Sequence, residues 1–127
     1  MKSCWVDSVK DRNKFDALEE NIKTDICIIG GGLAGLSTAY NLSKYKIRTV
    51  LLEKDEICKQ TSGNSTAKIT SQHGLIYKYL TDSKGKDFAR KYYEANEEAI
   101  RTIKDIIDKE KIDCDFKTSK SYLYTLD

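Results

Sequence analysis

The sequence contains no proline, a single histidine (His73), a single tryptophan (Trp5) and no CxxC pair. One histidine excludes any multi-histidine metal site within the chain. The cysteines at 4, 27, 58 and 114 have neither zinc-ribbon nor thioredoxin spacing, and no metal site is expected. No apolar run approaches the ~18 residues of a transmembrane helix, so no membrane partner is expected. Residues 1–7 lack the apolar core of a secretory signal. There is no Gly/Ser linker, repeat or low-complexity stretch to mark an internal boundary. Charge of one sign is also missing: 22 basic residues face 20 acidic ones, a net +2 that gives no footprint for nucleic acid.

What is present is a soluble-type composition, 39% hydrophobic and 33% charged over 127 residues, enough for one small domain. Free thiols fit a reducing, cytoplasmic setting. Residues 1–22 read as a polar N-terminal extension with little regular structure, and 23–127 as one incomplete domain. Asp25 to Ile29 is a short apolar run that stops at glycine. It reads as a buried parallel strand, with Cys27 as a small buried hydrophobe. Leu36 to Lys44 has helical spacing, and Ile47 to Glu53 reads as a second strand. Residues 54–73 are dense in small polar side chains and read as loop or short irregular helix. From Ser83 to about Lys111, Phe88, Tyr92, Ala95, Ala99, Ile103 and Ile106 step by three or four, predicting a long helix. Two short strands are expected near 112–116 and over Ser121 to Thr125.

Between the first strand and helix lies Gly30-Gly-Gly-Leu-Ala-Gly35, a GxGxxG pattern. A strand precedes it, a helix follows it, and Glu53 ends the next strand 18 residues after Gly35. That context is what the dinucleotide fingerprint requires. Gly30 permits the tight turn, Gly32 lets backbone approach a pyrophosphate, and Gly35 lets the helix pack close to the sheet. The helix N-terminus offers N–H groups to phosphate oxygens. Glu53 suits the hydroxyls of an adenosine ribose and disfavours the 2′-phosphate of NADP. The motif by itself does not separate NAD from FAD.

Residues Thr24 to Glu53 resemble the start of the D-amino-acid-oxidase-like (DAO) superfamily of FAD-dependent oxidoreductases. Thr61 to Tyr77, Tyr92-Tyr-Glu-Ala-Asn96 and Tyr122-Leu-Tyr124 resemble bacterial members whose chains end in a Rieske iron–sulfur domain. The resemblance implies an α/β fold with a Rossmann-like FAD-binding βαβ unit, then a long helix and short strands. It puts the FAD phosphates over Gly30, Gly32, Leu33 and Ala34, with Gly35 completing the cofactor-binding turn, and the ribose on Glu53 with Lys54 beside it. Thr61 and Ser62 match positions near the pyrophosphate and ribityl chain; Thr66, Ala67 and Lys68 match positions beside the isoalloxazine ring. His73 does not match a flavin-attachment position and reads as a hydrogen-bonded structural residue. Tyr92 and Tyr93 read as packing.

The expected activity is oxidation of a small substrate, an amine or amino acid, with hydride passing to flavin. Catalytic residues are not identifiable. The Rieske ligands, two cysteines and two histidines, cannot come from this chain. The chain therefore reads as the N-terminal part of a longer oxidoreductase, a truncated product, a split gene or an excised fragment, with the missing C-terminal portion as its expected partner. An NAD-binding module and a non-catalytic fragment that pairs with a separately encoded remainder are the rival readings.

Overall fold

A computed structural model describes residues 3–9 and 13–124. The chain forms two compact units, residues 1–67 and 68–127.

The first unit holds α1 (Cys4–Ser8), β1 (Ile26–Ile29), α2 (Leu33–Ser43), β2 (Thr49–Leu52) and a 3₁₀ turn over Ser62–Asn64. β1 and β2 pair in parallel, with Ile26 opposite Thr49 and Ile29 opposite Leu52. An ion pair clips the strand entrances together. Arg48 Nε and Nη2 donate to the two oxygens of Asp25 at 3.0 and 2.8 Å, and the guanidinium lowers the pKa of the Asp25 carboxyl. α2 packs on both strands. It stops after Ser43, where Tyr45 N–H bonds the Leu42 carbonyl and Lys46 turns to positive φ.

One helix covers only one sheet face, which corrects the expectation for Cys27. Cys27 is exposed and Ile29 is 88% exposed. A parallel strand is buried on both faces only when helices cover both. A second difference concerns the N-terminal extension, where Cys4–Ser8 forms a short helix.

The second unit is a helical hairpin of α3 (Ile76–Lys84) and α4 (Lys86–Glu110), joined by Gly85 alone. Gly85 has φ +89°, a conformation that admits glycine where a side chain would be strained. Leu80 and Ala89 are buried where the helices meet. The long helix expected from Ser83 thus starts at Lys86, and α3 precedes it. α4 ends at Glu110 and is capped by Lys111, a left-handed residue whose N–H bonds the Ile107 carbonyl. Tyr77 makes edge-to-face contacts with Tyr92 and Tyr93, at centroid distances of 6.1 Å in both cases. The Tyr92 hydroxyl lies 3.1 Å from His73 Nδ1, so His73 is hydrogen-bonded in a structural cluster.

The two short strands expected after Ile112 do not form. Residues 112–124 contain no strand, and Thr125 lies outside the described residues. A β-rich run becomes a strand only where another strand accepts its hydrogen bonds. The only sheet described is the β1–β2 pair of the first unit. Among the described residues no helix is long and apolar enough to cross a membrane.

Candidate functional site

The turn from β1 into α2 is built around absent side chains. Gly30 has φ +106°, and its N–H bonds the Leu52 carbonyl at 2.7 Å. A Cβ on Gly35 would lie 2.0 Å from the Gly30 carbonyl oxygen, so α2 can start this close to the strand only with glycine there. A Cβ on Gly32 would meet Ser62 Oγ at 3.1 Å.

Gly32 is the N-cap of α2 and has no side chain with which to cap it. Ser62, 29 residues away, supplies the oxygen instead: Leu33 N–H donates to Ser62 Oγ at 2.9 Å. The first amides of an α-helix have no intrahelical acceptor. Leu36 N–H makes the first helical bond, to the Gly32 carbonyl. Helix geometry therefore leaves the Ala34 and Gly35 amides at the positive end of the helix dipole, where an anion is stabilised.

Glu53 follows β2 directly, and the register that sets Ile29 beside Leu52 brings it to the glycine turn. Its Oε2 accepts Gly31 N–H at 2.7 Å and its Oε1 accepts Asp55 N–H at 3.1 Å. These bonds, the Gly31 one foremost, pull the Glu53 pKa below the ordinary glutamate value. A carboxylate has about four lone-pair positions, so each oxygen can accept another donor. The residues thus fit an ADP moiety: amides and a helix dipole for phosphates, an ionised carboxylate for ribose hydroxyls.

Gly30, Gly32, Leu33, Ala34, Gly35, Glu53 and Ser62 are brought together. Lys54 is exposed beside Glu53. Thr61 precedes the 3₁₀ turn and is exposed, as are Thr66 and Ala67. Ala67 adopts positive φ with its N–H on Ser65 Oγ at 3.2 Å. Lys68 belongs to the second unit.

Sequence reasoning missed Gly31. It is buried, its amide bonds Glu53, and its carbonyl accepts Cys58 N–H at 2.9 Å. A Cβ on Gly31 would press on Ile57 and Glu53 at 3.1 and 3.2 Å. The run of three consecutive glycines was the available signal. Beside the end of β2, Asp16, Ala17, Leu18, Glu19, Glu20 and Leu52 line a shallow open trough. Its three carboxylates make it a poor receiver of phosphate.

The family model for FAD-dependent oxidoreductases, DAO, matches residues 25–127. The chain is 44% identical over 115 residues to a putative Rieske 2Fe-2S iron–sulfur protein, YhfW, of Bacillus subtilis, covering 91% of this chain and 23% of that protein. It is 32% identical over 103 residues to gamma-glutamylputrescine oxidoreductase of Escherichia coli, covering 81% of this chain and 24% of that protein. A 43-residue stretch is 46% identical to glycerol 3-phosphate oxidase of Mycoplasma genitalium, covering 32% of this chain and 11% of that one. The chain spans about a quarter or less of the length of these relatives. No solved structure matches it significantly.

Proposed function

The chain belongs to the DAO family of FAD-dependent oxidoreductases, and from that membership we propose that its first unit binds the ADP moiety of FAD in a Rossmann-like βαβ half-site. The observation that carries this reading is the convergence of three separated segments on one helix start. The glycine turn, Glu53 and Ser62 meet there, linked by the Gly31–Glu53 and Leu33–Ser62 hydrogen bonds at 2.7 and 2.9 Å.

In this reading the pyrophosphate lies over Gly30 to Gly35, with the amides of Ala34 and Gly35 and the hydroxyl of Ser62 as donors. Glu53, whose pKa its amide contacts lower, accepts the ribose hydroxyls while holding the glycine turn through Gly31. Lys54 stands beside it, and Thr61 lies towards the ribityl chain. Thr66, Ala67 and Lys68 are assigned to the isoalloxazine side. When bound, the flavin accepts hydride from a small substrate, an amine or amino acid in our reading; the chain orients its adenylate and pyrophosphate. Family membership favours FAD over NAD. The four cysteines are unpaired, which suits the reducing cytoplasm we assign to the protein.

The test compares ADP with 2′-deoxy-ADP by isothermal titration on the 127-residue chain. Loss of one charge-assisted hydrogen bond should weaken binding about tenfold. Equal affinities for the two nucleotides would remove Glu53 from the ribose, and no ADP binding at all would remove the half-site.

A further inference from the structure

The segment matched by the family model begins at residue 25, yet residues well before it are bonded to the loop that caps α2. Ser3 Oγ donates to the Gly63 carbonyl. Trp5 Nε1 donates to the Ser65 carbonyl at 2.9 Å. Each bond spans 60 residues of sequence, so neither follows from a local turn. Val6 packs where Gly63 lacks a side chain: a Cβ there would lie 2.9 Å from Val6 Cγ2 and 2.1 Å from the Cys58 carbonyl oxygen.

These contacts fall at residues 63 and 65, just after Ser62, the residue whose hydroxyl accepts Leu33 N–H. A hydroxyl that accepts one bond still has its own proton to donate, so Ser62 can face an anionic oxygen while capping the helix. A loop of small polar residues has many conformations of similar energy, and ties from a distant segment select one of them. α1 itself contributes little core. It contains no buried residue, and Trp5 is 48% exposed. The bonds of Ser3, its N-cap, and of Trp5 go to the Gly63–Ser65 backbone.

We infer that Ser3, Trp5 and Val6 are positioning residues: they strap the 62–65 turn so that the Ser62 hydroxyl meets the Leu33 amide at the phosphate end of α2. The inference rests on the reading that an ADP moiety binds there. It assigns the N-terminal extension a part in cofactor affinity exerted through Ser62.

The test has two arms on the full 127-residue chain. The first needs no ligand: amide exchange at Leu33, followed by NMR. Ser3→Ala and Trp5→Phe should each speed this exchange roughly three- to tenfold, the worth of one net hydrogen bond. Ser3→Thr, which keeps the hydroxyl, should exchange as the native chain does. Adding Trp5→Phe to Ser62→Ala should bring no further gain. In the second arm, ADP titration should show Trp5→Phe weakening affinity in the native background and not in the Ser62→Ala background. Unchanged Leu33 exchange and ADP affinity in Trp5→Phe and Ser3→Ala would overturn the strap and leave the half-site standing. Equal weakening by Trp5→Phe in both backgrounds would also overturn it, since the effect would not pass through Ser62. If the native chain fails to bind ADP, or Gly32→Val binds it equally well, the half-site reading fails, and the positioning role falls with it.

Discussion

Gly35→Ala turns a single Cβ into a test of how α2 is seated. The added carbon would stand 2.0 Å from the Gly30 carbonyl oxygen and 3.3 Å from Ile28 Cγ2. Ordinary contact begins at 3.4 Å, so the helix must retreat by about 1.4 Å (3.4 − 2.0). The obstruction is backbone, so no rotamer change relieves it. Alanine gains about 1 kcal/mol over glycine in helix propensity. Overpacking against a rigid partner costs about 3 kcal/mol, the upper part of its usual range. The expected net destabilisation is therefore about 2 kcal/mol, or about 1 M in the urea midpoint. Trp5 is the single tryptophan and lies in the first unit, so its emission during urea unfolding reads that unit alone. ADP affinity should fall as well, because the α2 amides move away from the turn. A Gly35→Ala chain as stable as the native one, with native ADP affinity, would refute the close seating of α2.

Gly30→Ala should destabilise by about 1–2 kcal/mol through conformation alone, since Gly30 has φ +106° with open space around it; an unchanged urea midpoint would contradict this. Glu53→Gln should weaken ADP binding about tenfold at neutral pH. The amide contacts lower the folded-state pKa of Glu53, so its stabilising contribution is present above the ordinary glutamate range and is lost as pH falls through the lowered value. The gap in urea midpoint between native and Glu53→Gln chains should thus narrow as pH falls from neutral to below the ordinary glutamate range, and a constant gap would contradict the assignment. The purified 127-residue chain should reduce no dye with amino acids or amines; measurable turnover would show that this segment alone suffices for catalysis.

The βαβ unit was legible because β1, α2 and β2 each have a hydrophobic run bounded by glycine or charge, and such runs fix local structure. α4 was legible for the same reason: its apolar period holds over seven turns without a breaker. The region from Ile112 onward misled because Tyr122-Leu-Tyr124 has strand propensity, and propensity does not supply a partner. Cys27 misled because an apolar run implies burial only if the fold covers both faces. Within the candidate site, the glycines and Glu53 could be read from spacing. Gly31 was marked only by the run of three glycines, and its role arises from the strand register that sets its amide against Glu53. α1 was invisible because five polar-flanked residues show no period, and nothing in Trp5 names a carbonyl 60 residues away.

The most direct measurement is an isothermal titration of ADP into the native chain and into Gly32→Val. Valine would put a branched side chain where even a Cβ would meet Ser62 Oγ at 3.1 Å. The expected result is that the native chain binds ADP and that Gly32→Val binds it at least tenfold more weakly, about 1.4 kcal/mol. Equal affinities, or no binding to either chain, would contradict the claim that the glycine turn and α2 hold the cofactor's phosphates.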